Sequence, residues 1–279
     1  MITYPNIKVN LGLRVLRRRE DGYHDIDTIF LPYGEIHDSL EIITGDDWSR
    51  SSAAIFSSGR PVAQAISPDG ALMITLEREE GQDWAPLNDL TAKAYFLLAD
   101  EFDLPPVKIF LRKHSPVGAG LGGGSSDAAF ALSMLNEMFS LGLSLDELAS
   151  RAATLGSDCA FFIYNRPMRG QGRGDILSPL NINLEGYHLR VFVPEGISVN
   201  TAEAYRGIAT SADATPLSDV MEHDISEWKD LIVNDFENTV FKIHPALAET
   251  KKSIYEQGAV YASMSGSGSA LFGIFKDLP

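Results

Sequence analysis

From Pro116 to Ala129 the chain reads PVGAGLGGGSSDAA, with glycine at 118, 120, 122, 123 and 124 and hydroxyls at Ser125 and Ser126. Five glycines within seven residues are more than a turn needs. Glycines leave backbone N–H groups uncovered, so a run of them can converge on an anion. The helix expected next, near 125–139, adds unpaired N–H groups and the positive end of its dipole. This chemistry is that of a phosphate cradle. Better-known loops do not fit. Gly118, Gly120 and Gly123 satisfy G-x-G-x-x-G, but a dinucleotide fold needs a parallel strand after the helix, and a second helix at 145–155 follows instead. No lysine follows the glycines, as a Walker A loop requires, and the His-Arg-Asp and Asp-Phe-Gly tripeptides of protein kinases are absent.

The elements that position this loop can be read from periodicity. Residues 7–16 alternate, with Ile7, Val9, Leu11, Leu13 and Val15 on one face and Lys8, Asn10, Gly12 and Arg14 on the other; this predicts a half-buried strand carrying Lys8 beside Asn10. Further strands are expected at 26–31, 39–44, 71–76 and 106–112, then at 160–164 (AFFIY), at 187–194 and on both sides of a second Gly/Ser loop, SGSGS, at 265–269. Helices are expected at 88–102 with Asn88 as cap, at 145–155 with Ser144 and Glu147 as a capping box, and near 201–209, 217–223, 227–239 and 245–257. Residues 45–70 read as loops or short edge strands. The mixed order predicts an α+β chain of two lobes, 1–155 and 156–279.

Composition narrows the partners. The 279 residues carry a formal net charge of −15, which argues against nucleic acid and requires any anionic ligand to be held by local groups. No apolar run approaches membrane-spanning length and no signal peptide is evident, so neither a membrane nor export is expected. One cysteine, Cys159, excludes an internal disulfide and a multi-cysteine zinc site; it fits a cytoplasmic protein, and Cys159 reads as a small buried hydrophobe. Arg17, Arg18 and Arg19 read as a solvated strand end.

The loop PVGAGLGGGSSDAA resembles the phosphate loop of the GHMP kinases, the family of galactose, homoserine, mevalonate and phosphomevalonate kinases. KVNLGLRVLRRREDGYHDIDTIF near the N-terminus, TLGSDCAFF at 154–162, GQGRGDIL at 170–177 and SMSGSGSALF at 263–272 are similar to other pieces of that family in the same order. They are most similar to the branch that phosphorylates the 2-hydroxyl of a cytidine-diphosphate-linked methylerythritol in the non-mevalonate route to isoprenoid precursors. The resemblance implies a two-lobed α+β fold, with a ribosomal-protein-like N-terminal lobe, a ferredoxin-like C-terminal lobe and the active site in the cleft. A homoserine or mevalonate type of small-molecule kinase is the alternative within the family.

The resemblance also implies roles. Asp158 becomes the catalytic base and Lys8 its partner. ATP, with Mg²⁺ expected, is held by Pro116, Val117, Gly118, Ala119, Gly120, Leu121, Gly122, Gly123, Gly124, Ser125 and Ser126, with Lys113 nearby. The substrate's cytosine is clamped between Tyr23 and Tyr205 and bonded at its edge by His24, while Asn10, Gly266, Ser267 and Gly268 approach the rest of the substrate. Thr201 either contacts substrate or caps its helix. Asp127 either caps the helix after the loop, which is the expectation, or approaches a metal. The family usually has Asn before Leu near residue 90, where this chain has Asp89 after Asn88, so either residue could face the nucleotide. The metal ligands stay unassigned, and the chain is expected to be a monomer or homodimer.

Overall fold

The computed structural model describes residues 1–44, 59–210 and 215–276. Its strands are β1 (Ile2–Thr3), β2 (Asn6–Arg18), β3 (His24–His37), β4 (Ser39–Thr44), β5 (Val62–Ile66), β6 (Leu72–Glu77), β7 (Val107–Arg112), β8 (Met168–Gly172), β9 (Ile176–Pro179), β10 (His188–Phe192), β11 (Ala259–Met264) and β12 (Leu271–Phe275). Its helices are α1 (Leu90–Ala99), α2 (Gly123–Met138), α3 (Leu145–Leu155), α4 (Cys159–Tyr164), α5 (Thr201–Ala204), α6 (Leu217–Val220), α7 (Trp228–Leu231), α8 (Glu237–Ile243) and α9 (Pro245–Glu256).

Two compact units result, and they interleave where the sequence reading expects one break after residue 155. The first holds Met1–Ile7, Tyr33–Pro116 and Gly122–Asn165; the second holds Lys8–Pro32, Val117–Leu121 and Arg166–Pro279. In the first, the sheet order is β1-β4-β7-β6-β5. Strands β6 and β7 run parallel, Leu72 opposite Val107, and the connection between them carries α1, as a parallel crossover requires. Ile42, Ile74, Leu76, Ile109 and Leu111 are buried on this sheet, and α1 packs on α2 through Ala92, Tyr95 and Leu98. Strand β5 forms the sheet's edge; the rest of the expected 45–70 loop, residues 45–58, lies outside the described residues.

In the second unit, β10, β12 and β11 form an antiparallel sheet with α9 against it. Its core joins Leu13 and Val15 of β2 to Phe236, Val240, Leu247, Ile254, Met264 and Phe275. Strand β3 pairs with β8 from Ile26 opposite Gly172 to Phe30 opposite Met168, and β2 and β9 complete this sheet.

The departures from expectation have local causes. AFFIY is not a strand but most of α4: a five-residue apolar run has no period that separates strand from buried helix, and here it packs against α2 and α3 and stops at Asn165, whose φ is +45°. Strand β2 is buried on both faces through Leu13, because Lys8 and Asn10 find polar partners inside the protein. The helix expected at 227–239 is broken between α7 and α8. There Leu13 N–H donates to Val233 O (3.0 Å) and Asp235 N–H to Leu13 O (2.8 Å), so pairing with β2 overrides helix propensity. The helices at 201–209 and 217–223 shorten to α5 and α6.

Candidate active site

The glycine loop has the backbone its composition promises. Gly118, Gly120 and Gly122 take φ of +73°, +77° and +73°, left-handed values that an L side chain resists. Gly120 is constrained twice over, since a Cβ there would lie 2.3 Å from Ser265 O. Helix α2 starts at Gly123 with no side chain capping it, leaving its first N–H groups to another partner. Gly118 and Gly124 are exposed, Ser125 is half-buried and Ser126 is buried. A run of left-handed glycines ending in an uncapped sixteen-residue helix is suited to oxyanions.

Around Gly120 the second unit builds a polar frame. Lys8 Nζ donates to Asn10 Oδ1 and to Gly120 O (3.1 Å), and Lys8 N–H donates to Leu121 O (3.0 Å). Asn10 Nδ2 donates to Thr28 Oγ1 (2.9 Å), and Asn10 N–H donates to Ser265 Oγ (3.1 Å). Ser265 Oγ in turn donates to Gly120 O (3.0 Å), and Ala270 N–H donates to Ala119 O (3.1 Å). Lys8 is thereby held beside both small-residue loops, with Asn10, its neighbour on the strand as the alternation predicts, as a direct acceptor. Gly266 lies close to Asn10, where a Cβ would meet Asn10 Oδ1 at 3.2 Å.

In the first unit, Lys113 is buried, and its charge is taken by protein groups. Its Nζ bonds Asp38 Oδ2 and Asp127 Oδ2 (2.5 Å), and Ser115 Oγ donates to Asp38 Oδ2 (2.6 Å). Asp127 therefore does not cap α2; it sits inside the helix's first turns as a partner of Lys113. Burial pushes the Asp127 carboxyl well above the usual carboxylate range, and the nearby Asp38 adds to this, although Lys113 opposes it. For Asp38 burial acts in the same direction, but the charge and hydrogen bond of Lys113 and the bonds from Ser115 prevail and lower its pKa. Asp89, not Asn88, caps α1: Thr91 N–H donates to its Oδ1 (2.9 Å) and the Trp84 indole N–H to its Oδ2 (3.0 Å). Asp158 is half-buried at the N-cap position of α4 without capping it. Beside it, burial pushes the Cys159 thiol up to about 11, so it is a packing group rather than a nucleophile.

The expected base clamp takes a different form. The ring stacked on Tyr205 is His24, with centroids 4.6 Å apart and planes within 12°. Tyr23 is 58% exposed, with the Arg173 guanidinium 5.1 Å from its ring centre. Stacked rings approach no closer than about 4.5 Å between centroids, so the His24–Tyr205 pair holds no third ring between its members as it stands. His24, Tyr205, Arg18 and Arg206 line a pocket of about 470 Å³. Burial lowers the His24 pKa, and Arg18 adds to the shift, so the imidazole is neutral near pH 7. Arg17 and Arg19 pair with Asp25 and Asp21, which pins the turn before Tyr23. Thr201 neither caps α5, which Asn200 does, nor stands apart: its hydroxyl is 3.0 Å from that of Ser267.

Sequence reasoning missed Asp38, Ser265 and Asn234. Asn234 Nδ2 donates to Met264 O (2.7 Å) and Gly266 O (2.8 Å), fastening the start of the second Gly/Ser loop. A lone Asn or Asp far along the chain carries no local signal of such a partner. Ser265 stood in the quoted SGSGS loop and could have been singled out as the one position there that precedes both glycines.

Family profiles for the GHMP kinases N terminal domain and the GHMP kinases C terminal region match residues 89–166 and 217–279. A 4-diphosphocytidyl-2-C-methyl-D-erythritol kinase of Bacteroides thetaiotaomicron is 44% identical over 278 residues, 99% of this chain and 92% of the relative. The protein of the same name from Cytophaga hutchinsonii is 42% identical over 280 residues, 100% of this chain and 94% of that one. A crystal structure of a 4-(cytidine 5'-diphospho)-2C-methyl-D-erythritol kinase superposes with a TM-score of 0.75 at 31% identity, covering 98% of this chain and 89% of the other. The mevalonate kinase of L. major shares the fold, with a TM-score of 0.63 at 16% identity over 98% of this chain and 86% of the other. The chain belongs to the GHMP kinases, a family of small-molecule phosphotransferases.

Proposed function

We propose that this chain transfers the γ-phosphoryl group of ATP to the 2-hydroxyl of 4-(cytidine 5'-diphospho)-2-C-methyl-D-erythritol, giving the 2-phosphate and ADP on the non-mevalonate route to isoprenoid precursors. The observation that carries this reading is the His24–Tyr205 ring pair in a pocket with two arginines. It answers to a pyrimidine attached to phosphate, the compound for which the near-full-length relatives are named. A homoserine or mevalonate kinase has the fold but gives this pair nothing to bind. A chain with one cysteine, and that buried, fits a reducing cytoplasm as the place of reaction.

The roles follow from the chemistry. The left-handed glycines at 118, 120 and 122 and the bare start of α2 present N–H groups to the triphosphate. As the 2-hydroxyl oxygen bonds to the γ-phosphorus, Asp158 accepts its proton, the bond from that phosphorus to the bridging oxygen breaks, and ADP leaves. The Lys8 ammonium, fixed by Asn10 and Gly120 O, offsets negative charge on the transferring group. His24 yields its place on Tyr205 to the cytosine, since the two rings now touch. Lys113 is committed to Asp38 and Asp127, so its part is to fix the first turns of α2. Among the described residues no group of three or more His, Cys, Asp or Glu side chains could hold a metal ion. Mg²⁺, when bound, supplies charge neutralisation, and the oxygens around it would be mainly those of the nucleotide and water.

Incubation with ATP, Mg²⁺ and either the cytidyl-methylerythritol compound, homoserine or mevalonate tests the reading through ADP release. Turnover of the first alone is expected. Turnover of homoserine or mevalonate without it overturns the assignment.

A further inference from the structure

We propose that Ser265 is a positioning residue for Lys8, acting through the carbonyl of Gly120. This rests on the kinase reading for its meaning in catalysis, but its geometry lies wholly within one unit of the chain. The Ser265 side chain is buried and its hydroxyl has two partners. It accepts from Asn10 N–H at 3.1 Å and donates its one proton to Gly120 O at 3.0 Å. That same carbonyl receives Lys8 Nζ at 3.1 Å, and Nζ also donates to Asn10 Oδ1. These two acceptors of the ammonium thus belong to residues whose backbone the Ser265 hydroxyl holds. A hydroxyl with one proton cannot exchange these roles freely: once it donates to Gly120, only its lone pairs face Asn10.

The surroundings leave the task to this one group. Gly120 comes so near that a Cβ would lie 2.3 Å from Ser265 O and 3.1 Å from Gly268 O. No side chain can therefore enter from Gly120 to replace the hydroxyl. The backbone of Ser265 is itself held, with its N–H donating to Ala270 O (2.8 Å) and its O receiving Gly268 N–H (3.0 Å). Asn234 holds the carbonyls on either side of it, those of Met264 and Gly266. The hydroxyl consequently stands on a fixed base. Removing it leaves Asn10 N–H without this acceptor and lets Gly120 O turn. The ammonium then loses a defined position, and small misplacements of a group that must meet developing charge are costly to rate.

A merely structural hydroxyl would act on stability and on both substrates alike. A positioning hydroxyl acts on kcat, and only while Lys8 is present. The test is a double-mutant cycle of Ser265→Ala with Lys8→Met, read as kcat and KM for both substrates. Ser265→Ala alone is expected to lower kcat by about 10- to 100-fold with KM changed less than about threefold. In the Lys8→Met background the same change is expected to cost less than about twofold, because the group it positions is gone. Equal losses in the two backgrounds, or an unchanged kcat, overturn the proposal. Should the alanine variant not fold, Ser265→Thr and Ser265→Val replace it; they share bulk but only threonine keeps the hydroxyl, and threonine alone is expected to retain kcat.

Failure of the kinase reading shows separately, as absent turnover by the unsubstituted chain. The placement of Lys8 is then read without turnover, from the ¹⁵N signal of its ammonium, assigned by its loss in Lys8→Met. A shift of that signal in Ser265→Ala supports the proposal, and an unmoved signal overturns it.

Discussion

In the proposed reaction Asp158 does one thing that no neighbour duplicates: it takes the proton of the attacking hydroxyl. Cys159 beside it is undissociated at neutral pH, its thiol pushed up by burial to about 11. Replacing the carboxylate by an amide keeps the shape and removes the base. Asp158→Asn is expected to lower kcat by about 10²-fold or more while the ATP dissociation constant stays within about twofold, measured by steady-state kinetics and calorimetry. Near-normal turnover removes Asp158 from this role. At this scale the sequence was most informative where a residue acts through its own type, as with Lys8 among small polar neighbours. It was least informative where the role depends on a distant partner. Lys113 reads as a basic residue next to a phosphate loop; only the fold brings Asp38 to it across 75 positions of chain. Tyr23 and His24 are adjacent in sequence, and which ring meets Tyr205 is decided by the turn that Arg17 and Arg19 pin to Asp21 and Asp25.

Among the elements, α2 joins the phosphate loop to the interior, and its first turns rest on the Asp38–Lys113–Asp127 group. Two carboxylates share one buried ammonium, and burial, with the charge of Asp38 added, raises the Asp127 carboxyl well above the usual carboxylate range although Lys113 opposes this. A carboxyl whose folded pKa lies above its unfolded value of about 3.9 binds more proton in the folded state, so its contribution to stability falls as pH rises between the two values. Asp127→Asn mimics the protonated form at every pH. It is expected to unfold at a higher urea concentration than the unsubstituted protein at pH 8, with the difference closing as the pH falls to about 4. A lower midpoint at pH 8 contradicts a raised pKa for Asp127. Helices with local start signals were legible: Ser144 and Glu147 form the expected capping box on α3. Elements decided by tertiary pairing were not. The break between α7 and α8 exists because residues 233–235 bond to Leu13, more than two hundred positions away.

The whole molecule carries a net charge of −15, yet the reaction proposed for it joins two anions. Attraction must then come from a few groups with local reach: the N–H groups of the glycine loop, Lys8, and Arg18 and Arg206 at the ring pair. These groups come from segments dispersed along the chain. Strand β2 from Lys8 onward belongs to the unit that also holds the chain from Arg166 onward, whereas Asp158 belongs to the other unit. A linear reading places a boundary near residue 155, where the helix expected at 145–155 ends and α4 reads as a strand. It cannot see that residues 8–32 belong with the second unit, where Ile26 to Phe30 pair with β8, since sheet pairing at such separation leaves no local pattern. The family resemblance reached further because its pieces are ordered along the sequence whatever their place in space. In the proposed reaction phosphate arrives on a hydroxyl of a cytidine-diphosphate-linked polyol whose diphosphate stays intact. Phosphorus NMR of the product mixture tests this most directly. One new phosphomonoester signal is expected, equal in amount to the ADP formed, with the two diphosphate signals of the cytidyl compound retained. ADP formed without that monoester, or with loss of the diphosphate signals, would contradict it.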